Sequence, residues 1–178
     1  MVEQRPIVLE LGCGYGGSYI EQYSQFGVNF IALDVEIKAS FHIKKDYPQV
    51  RAVCADARHL PFLSNSVTKL LIQFPHNSLL DQGLQPKNIG STSQNWFEEF
   101  NRVLKTGKEL EIIGDFYLNP GLIIKTASKY FELNGKVSRV SLSLLEEISS
   151  DEALDLMAES STRPELLDTC PRISLIKR

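Results

Sequence analysis

The sequence predicts an α/β protein built on a doubly wound, mostly parallel sheet with helices on both faces. Three observations carry that expectation. Short apolar runs alternate with helical segments at the length of strand–helix–strand crossovers. The first run breaks into a glycine-rich turn, Gly12-Cys13-Gly14-Tyr15-Gly16-Gly17. Acidic or polar residues follow the ends of successive runs, where open parallel sheets place their ligands.

The elements run in order along the chain. Ile7, Val8, Leu9 and Leu11 read as a buried strand, and the glycines after it allow a tight turn with backbone close to a ligand. Only Met1 to Pro6 precede this strand, so the chain reads as a short start with nothing to fold over the turn. Ile20, Tyr23 and Phe26 have helical spacing and Gly27 supplies a stop, which predicts a helix over 18–26. Asn29 to Leu33 is a second strand ending in Asp34, Ile37 to Asp46 a second helix, and Val50 to Cys54 a third strand followed by Asp56. After Leu60-Pro61-Phe62, the run Val67 to Phe74 reads as a fully buried fourth strand, stopped by Pro75. His76 to Ser93 is polar and longer than most connections, which marks it as a substrate loop.

Trp96, Phe97, Phe100, Val103 and Leu104 recur at i, i+3, i+4 and predict an amphipathic helix over 92–104, ended by Gly107. Glu109 to Phe116 is a fifth strand, with Asp115 near its end, and Pro120 to Leu133 a further helix. From Lys136 the pattern changes. Val140, Leu142 and Leu144 alternate with serines, as in a strand with one wet face, and Arg172 to Ile176 is another strand. Between them lies an acidic, serine-rich stretch, Glu146 to Thr162.

Length and composition bound the function. The 178 residues, 43% of them hydrophobic, fit one domain over 1–178 with a single core and an acidic insertion at about 145–165. Nineteen basic against 22 acidic side chains give a net charge of -3, which argues against a strong non-specific grip on nucleic acid. Cys13, Cys54 and Cys170 are widely spaced, without the CxxC or His spacing of a zinc site, and read as reduced thiols with no metal. No basic-plus-apolar leader appears, and no apolar run approaches the roughly 20 residues that span a bilayer. The expectation is a cytoplasmic protein.

The polar groups at the strand ends carry the chemistry. Glu10 and the glycines close the first strand, Asp34 the second, Asp56 the third and Gln73 to Asn77 the fourth. A lone G-x-G-x-x-G is weak, and single acids at strand ends are usually solvated. Their joint order is more telling, because Asp34 lies 22 positions beyond Gly12, near the spacing at which an acid reaches a ribose diol. Gly12, Gly14 and Gly17 also satisfy the dinucleotide fingerprint, so a nicotinamide dinucleotide competes with any other nucleotide cofactor.

From Val8 to Phe116 the sequence resembles the class I S-adenosylmethionine-dependent methyltransferases. Glu10, Gly12, Gly14 and Gly16 resemble that family's E/D-x-G-x-G-x-G loop, which lies against the methionine and ribose of the cofactor. Asp34 matches the ribose-binding acid. Asp56-Ala57 with Leu60-Pro61-Phe62 is similar to the third motif, where the acid accepts a bond from the adenine amino group. Asn101-Arg102-Val103-Leu104-Lys105-Thr106-Gly107 looks like the passage into strand five. The resemblance implies S-adenosylmethionine as cofactor and a seven-stranded sheet of order 3-2-1-4-5-7-6 with the last strand antiparallel. It implies cofactor contacts from Glu10, Gly12, Cys13, Gly14, Gly16, Asp34, Val35, Asp56, Ala57 and Gln73. Two departures stand out: Thr68 where many members have Asp, and Lys108 in place of a second glycine.

Methyl transfer from a sulfonium needs chiefly alignment of donor and acceptor. His76 and Asn77, with Asp115 and Tyr117 at the neighbouring strand end, are the catalytic candidates, and His76 is the base for an acceptor that must lose a proton. His59 and His42 rank lower. The acceptor is unidentified, with a small molecule favoured, and no oligomeric state is implied. The Phe74-Pro75 pair and the Gly114-Asp115 strand end also resemble the tRNA guanine-N7 methyltransferases. The basic stretch of those enzymes is replaced here by Ser78-Leu79-Leu80-Asp81-Gln82-Gly83. An RNA methyltransferase would need Lys44, Lys45, Arg58, Lys87 and Arg102 to gather on one face. A third alternative is a catalytically silent cofactor-binding subunit that docks a partner through its acidic insertion.

Overall fold

The computed structural model describes residues 5–16, 18–24, 27–73, 92–114, 120–135, 137–141 and 169–178. In chain order these form β1 (Ile7–Leu11), α1 (Ser18–Ser24), β2 (Asn29–Asp34), α2 (Ile37–Asp46), β3 (Arg51–Cys54) and β4 (Val67–Gln73). Next come α3 (Thr92–Val103), β5 (Leu104–Ile113), α4 (Pro120–Ala127), β6 (Phe131–Leu133), β7 (Ser138–Ser141) and β8 (Thr169–Lys177). All the strands join one sheet of order β3-β2-β1-β4-β5-β8-β6, with β7 also on β8. The first five are parallel to their neighbours, and β8 runs antiparallel to β5.

The edge is a single position filled in two pieces. Leu133 of β6 pairs with Leu175, and Ser138 of β7 with Arg172, both on the side of β8 away from β5. Gly135, at φ 80°, lies in the interruption. Asn134 crosses it, donating its backbone N–H to Ser174 O at 2.9 Å and its side-chain amide to Ser174 Oγ at 3.1 Å. Counted by position, the sheet is the seven-place order 3-2-1-4-5-7-6 with one antiparallel strand, as the resemblance implies.

Two local expectations are corrected. The helix predicted from Pro120 to Leu133 ends at Ala127, and Phe131–Leu133 is strand. Phe131 is buried either way, but as a strand this segment pairs with Leu175 to Lys177. Gly107 does not stop α3, which ends at Val103; it lies inside β5 at φ 72°. Leu104 pairs with Val67 and Glu109 with Lys69, so a register shift absorbs the residues between them. The strand predicted through Leu142 and Leu144 spans 138–141 as far as it is described, and the acidic stretch lies outside the described residues.

Strand alternation sorts the core onto two faces. Leu9, Leu11, Ile31, Leu33, Leu70, Ile72, Leu110 and Ile112 pack with Phe97, Phe100 and Val103 of α3 and Ile123 and Ala127 of α4. On the other face Val8, Phe30, Ala32 and Leu71 pack with Tyr19 and Ile20 of α1 and Ile43 of α2. Where that face continues over β4, β5 and β8 it turns polar. Lys69 Nζ lies 2.9 Å from Glu109 Oε2 and 2.7 Å from Glu111 Oε2, and Arg172 Nη2 lies 2.9 Å from Glu111 Oε1. Glu111 is buried, so both cations balance its charge there.

At the amino ends of the strands, Thr68 Oγ1 accepts the Ile7 N–H at 3.2 Å, a structural role remote from any ligand end. Lys177 donates to Asn65 Oδ1 at 2.8 Å and to the Asn101 and Leu104 carbonyls at 2.6 and 2.8 Å, placing a cation at the C-terminal end of α3. Opposite, the carboxyl ends align: Leu11 is level with Leu33 and Ile72, Asp34 with Cys54, and Gln73 with Ile113. Order reverses between β1 and β4, where an open α/β sheet forms its crevice.

Candidate functional site

The loop after β1 is stitched to the end of β2. The N–H groups of Gly12 and Cys13 both donate to Leu33 O, at 2.8 and 3.2 Å. Gly14 N–H donates to Asp34 Oδ2 at 2.9 Å, and Asp34 Oδ1 accepts the Glu36 N–H at 2.8 Å. One carboxylate therefore fixes the glycine loop and its own turn together. Gly14 sits at φ 54° with nothing within 4 Å of where a Cβ would project, so the loop presents open backbone. Ala55 N–H donates to Asp34 O at 2.9 Å, which brings β3 and Asp56 to the same end.

Glu10, at the end of β1, is buried, and burial together with the Asp34 charge pushes its carboxyl up to about 8. Cys13 is also buried, and burial with Glu10 and Asp34 nearby raises its thiol far above the nucleophilic range. Gly16 lies at φ 129°, a conformation that L side chains rarely adopt. Val35, next after Asp34, is 70% exposed, an apolar side chain standing open beside the carboxylate. Cys54 Sγ donates to Val35 O at 3.4 Å.

Asp56 is already engaged. Oδ1 accepts the Arg58 backbone N–H at 2.8 Å and Nε at 3.0 Å, and Oδ2 accepts Nε at 2.9 Å as well as Nη2. The Arg58 hydrogen bond holds the Asp56 carboxyl below its usual range, partly offset by burial. Ala57 is buried, and its neighbours in the core cluster include Leu60, Phe97 and Phe100. Gln73 ends β4 at the crevice. His76 and Asn77, like Asp115 and Tyr117, lie outside the described residues. His42 pairs with Asp46 at 3.1 Å along α2, and the His59 N–H donates to Asp56 O at 2.9 Å.

Two features are not marked in the sequence pattern. Tyr15 Oη donates to Glu36 Oε1 at 3.0 Å, tying the glycine loop to the start of α2. Glu99 pairs with Arg102 through Nε and Nη2, each at 2.7 Å, and both reach the loop after β3. The i, i+3 spacing of Glu99 and Arg102 on a helix is the one available signal.

These residues fit a cationic nucleoside better than a dinucleotide. Asp34 puts a carboxylate beside the open glycine backbone, and Glu10, protonated up to about 8, can ionise against a docked cation, which favours an ammonium and a sulfonium over a pyrophosphate. Among the described residues no cluster of His, Cys, Asp and Glu is placed to hold a metal ion, and no helix is long and apolar enough to cross a membrane.

Fold and site together define a class I, Rossmann-like S-adenosylmethionine-dependent methyltransferase. Residues 8–107 match the methyltransferase domain family, and the chain belongs to it. Among solved structures it is similar to an antibiotic-related methyltransferase, with TM-score 0.74 and 19% identity over 97% of this chain and 88% of that one. It is also similar to the 16S rRNA (adenine(1408)-N(1))-methyltransferase from Catenulisporales acidiphilia, with TM-score 0.70 and 14% identity over 98% and 88%. A third is geranyl diphosphate C-methyltransferase from Streptomyces coelicolor A3(2), with TM-score 0.66 and 13% identity over 99% and 75%. At these identities the likeness is one of fold. No curated protein matches the sequence.

Proposed function

We propose that the protein methylates a small-molecule acceptor, in the cytoplasm, with the cofactor held along the carboxyl ends of β1 to β4. The observation that carries this assignment is the pairing of the Glu10 and Asp34 carboxyl groups near one another at the glycine loop. The backbone of Gly12, Cys13, Gly14 and Gly16 takes the methionine and ribose, Glu10 faces the cationic end, and Asp34 accepts the ribose diol. Val35 and Ala57 flank the adenine, Asp56 accepts its amino group, and Gln73 borders the transfer site. S-adenosylmethionine, when bound, supplies a methyl group on a positively charged sulfur. The chain's residues hold that group in line with an acceptor, the main requirement of such a displacement. His76 takes the acceptor's proton where one must leave, with Asn77 beside it.

The low positive charge supports a small acceptor over RNA. Arg58 and Arg102 are each engaged by a carboxylate, and the net charge is -3. Cys13 and Cys54 are free thiols, in keeping with a reducing compartment. The described strands belong to one domain, with the acidic insertion at about 145–165 as an addition to it.

Incubation with methyl-labelled S-adenosylmethionine and either a small-metabolite extract or total RNA tests the acceptor class. Label is expected in a small-molecule product, and at a rate reduced on the order of a hundredfold or more in a His76→Ala variant where the acceptor must lose a proton. Label recovered in RNA alone would overturn the small-molecule assignment, and no transfer to either pool, with the cofactor bound, would favour a silent subunit.

A further inference from the structure

The loop after β3 carries Asp56 and Ala57 at its start and is fastened at its far end by two side chains of α3. Glu99 Oε1 accepts the Leu60 N–H at 2.6 Å. Arg102 donates from Nη2 to Leu60 O at 2.9 Å and from Nη1 to Phe62 O at 2.8 Å. The two side chains brace one another through Nε to Oε2 and Nη2 to Oε1, each at 2.7 Å. A planar guanidinium presents its donors in a fixed fork, so two carbonyls and a carboxylate together define one orientation. Leu60 is buried beneath this contact, and the Phe62 N–H donates to Leu60 O at 2.8 Å, which makes the held segment a tight turn. The end of α3 secures the approach to β4 as well, since Asn65 and Ser66 N–H donate to the Arg102 and Val103 carbonyls, each at 2.9 Å.

We propose that Glu99 and Arg102 are positioning residues for base recognition. By holding Leu60 and Phe62 they fix the loop whose first residues, Asp56 and Ala57, face the adenine. This rests on the assignment of Asp56 to the adenine amino group. The effect of the pair passes through three backbone hydrogen bonds. The carboxylate of Asp56 is held by Arg58, which lies on the same loop and moves with it. The loop is thus held at two points, by Ala55 on Asp34 O at its start and by α3 at Leu60 and Phe62, and the second sets the course of the chain that leaves Asp56 and Ala57.

The test uses the full chain and two probes, S-adenosylhomocysteine and its analogue with the adenine amino group replaced by hydrogen. Their affinities are measured by calorimetry for wild type, Glu99→Gln, Arg102→Met, Arg102→Lys and Asp56→Ala. Wild type is expected to favour the amino-bearing probe by roughly ten- to a hundredfold, the usual worth of a hydrogen bond to a charged acceptor. Glu99→Gln and Arg102→Met are expected to bring that ratio close to one by weakening S-adenosylhomocysteine alone. Arg102→Lys, which keeps a donor for one carbonyl, should restore part of it. Equal weakening of both probes, with the ratio intact, would show a merely structural pair and overturn the proposal. Should Arg102→Met fail to fold, Glu99→Gln and Arg102→Lys decide the matter by the same ratio. A ratio lost in Asp56→Ala but kept in every Glu99 and Arg102 variant would refute the positioning role alone. A ratio unchanged in Asp56→Ala would refute the adenine assignment beneath it.

Discussion

Glu10→Gln is expected to make the cofactor-free protein more stable at pH 9 while leaving it nearly unchanged at pH 4.5. The cause is the cost of a buried carboxylate beside a second one. In the folded chain Glu10 holds its proton up to about 8, raised first by burial and then by Asp34, against an ordinary value of 4.5. Between those two values the unfolded chain releases a proton that the folded chain keeps, so stability falls as pH rises through that window. Above it the full penalty applies, on the order of 3–5 kcal/mol for a shift of this size. Glutamine has no proton to lose and escapes the penalty. Urea unfolding of both proteins from pH 4.5 to 9 checks this: the wild-type curve should fall away from that of the variant. Two parallel curves would remove Glu10 from its buried, protonated state.

The same carboxyl sets the pH dependence of binding. A cation docked against Glu10 favours the ionised form, so cofactor affinity should rise as pH increases towards 8 and then level off. Binding at pH 7 should release a proton, visible as a dependence of the calorimetric heat on the buffer's ionisation enthalpy. Glu10→Gln should abolish that dependence.

The second large effect is expected from Asp34→Ala, which should weaken S-adenosylmethionine by on the order of 1–3 kcal/mol. Beyond the ribose hydroxyl proposed for it, Asp34 has structural work in the chain itself. It receives the Gly14 and Glu36 N–H groups, so its loss frees the glycine loop and unseats the turn after β2 in one step. It also removes a charge that raises Glu10, and the Glu10 titration should therefore move to lower pH in the variant. Calorimetry across pH measures both consequences. Unchanged affinity would take Asp34 out of the site.

The sheet is readable from the sequence because the buried runs are nearly uniform and each ends in a polar residue or glycine. The loop glycines, Asp34 and Asp56 follow successive apolar runs in the sequence, and the structure brings the ends of those runs together at one end of the sheet. The edge is not readable in this way. Phe131 to Leu133 continues a helical apolar pattern, and only the long-range pairing with Leu175 to Lys177 makes it strand. Gly107 misleads in the same way, since a positive-φ glycine suits a helix stop and a bulged strand equally. The Glu99 and Arg102 clamp stays hidden because its partners are backbone atoms about 40 positions away, which no residue pattern marks. Arg58 is one of the cations that an RNA acceptor would need, and its guanidinium lies on Asp56.

The most direct test of the central claim is calorimetric titration of the purified protein at pH 8 with S-adenosylmethionine, S-adenosylhomocysteine and NAD. Saturable one-site binding of the first two is expected, with no heat from NAD, because the Asp34 carboxylate at the glycine loop opposes a pyrophosphate and only a cation draws the proton from Glu10. Binding of NAD with silence from both sulfur-bearing ligands would contradict the account.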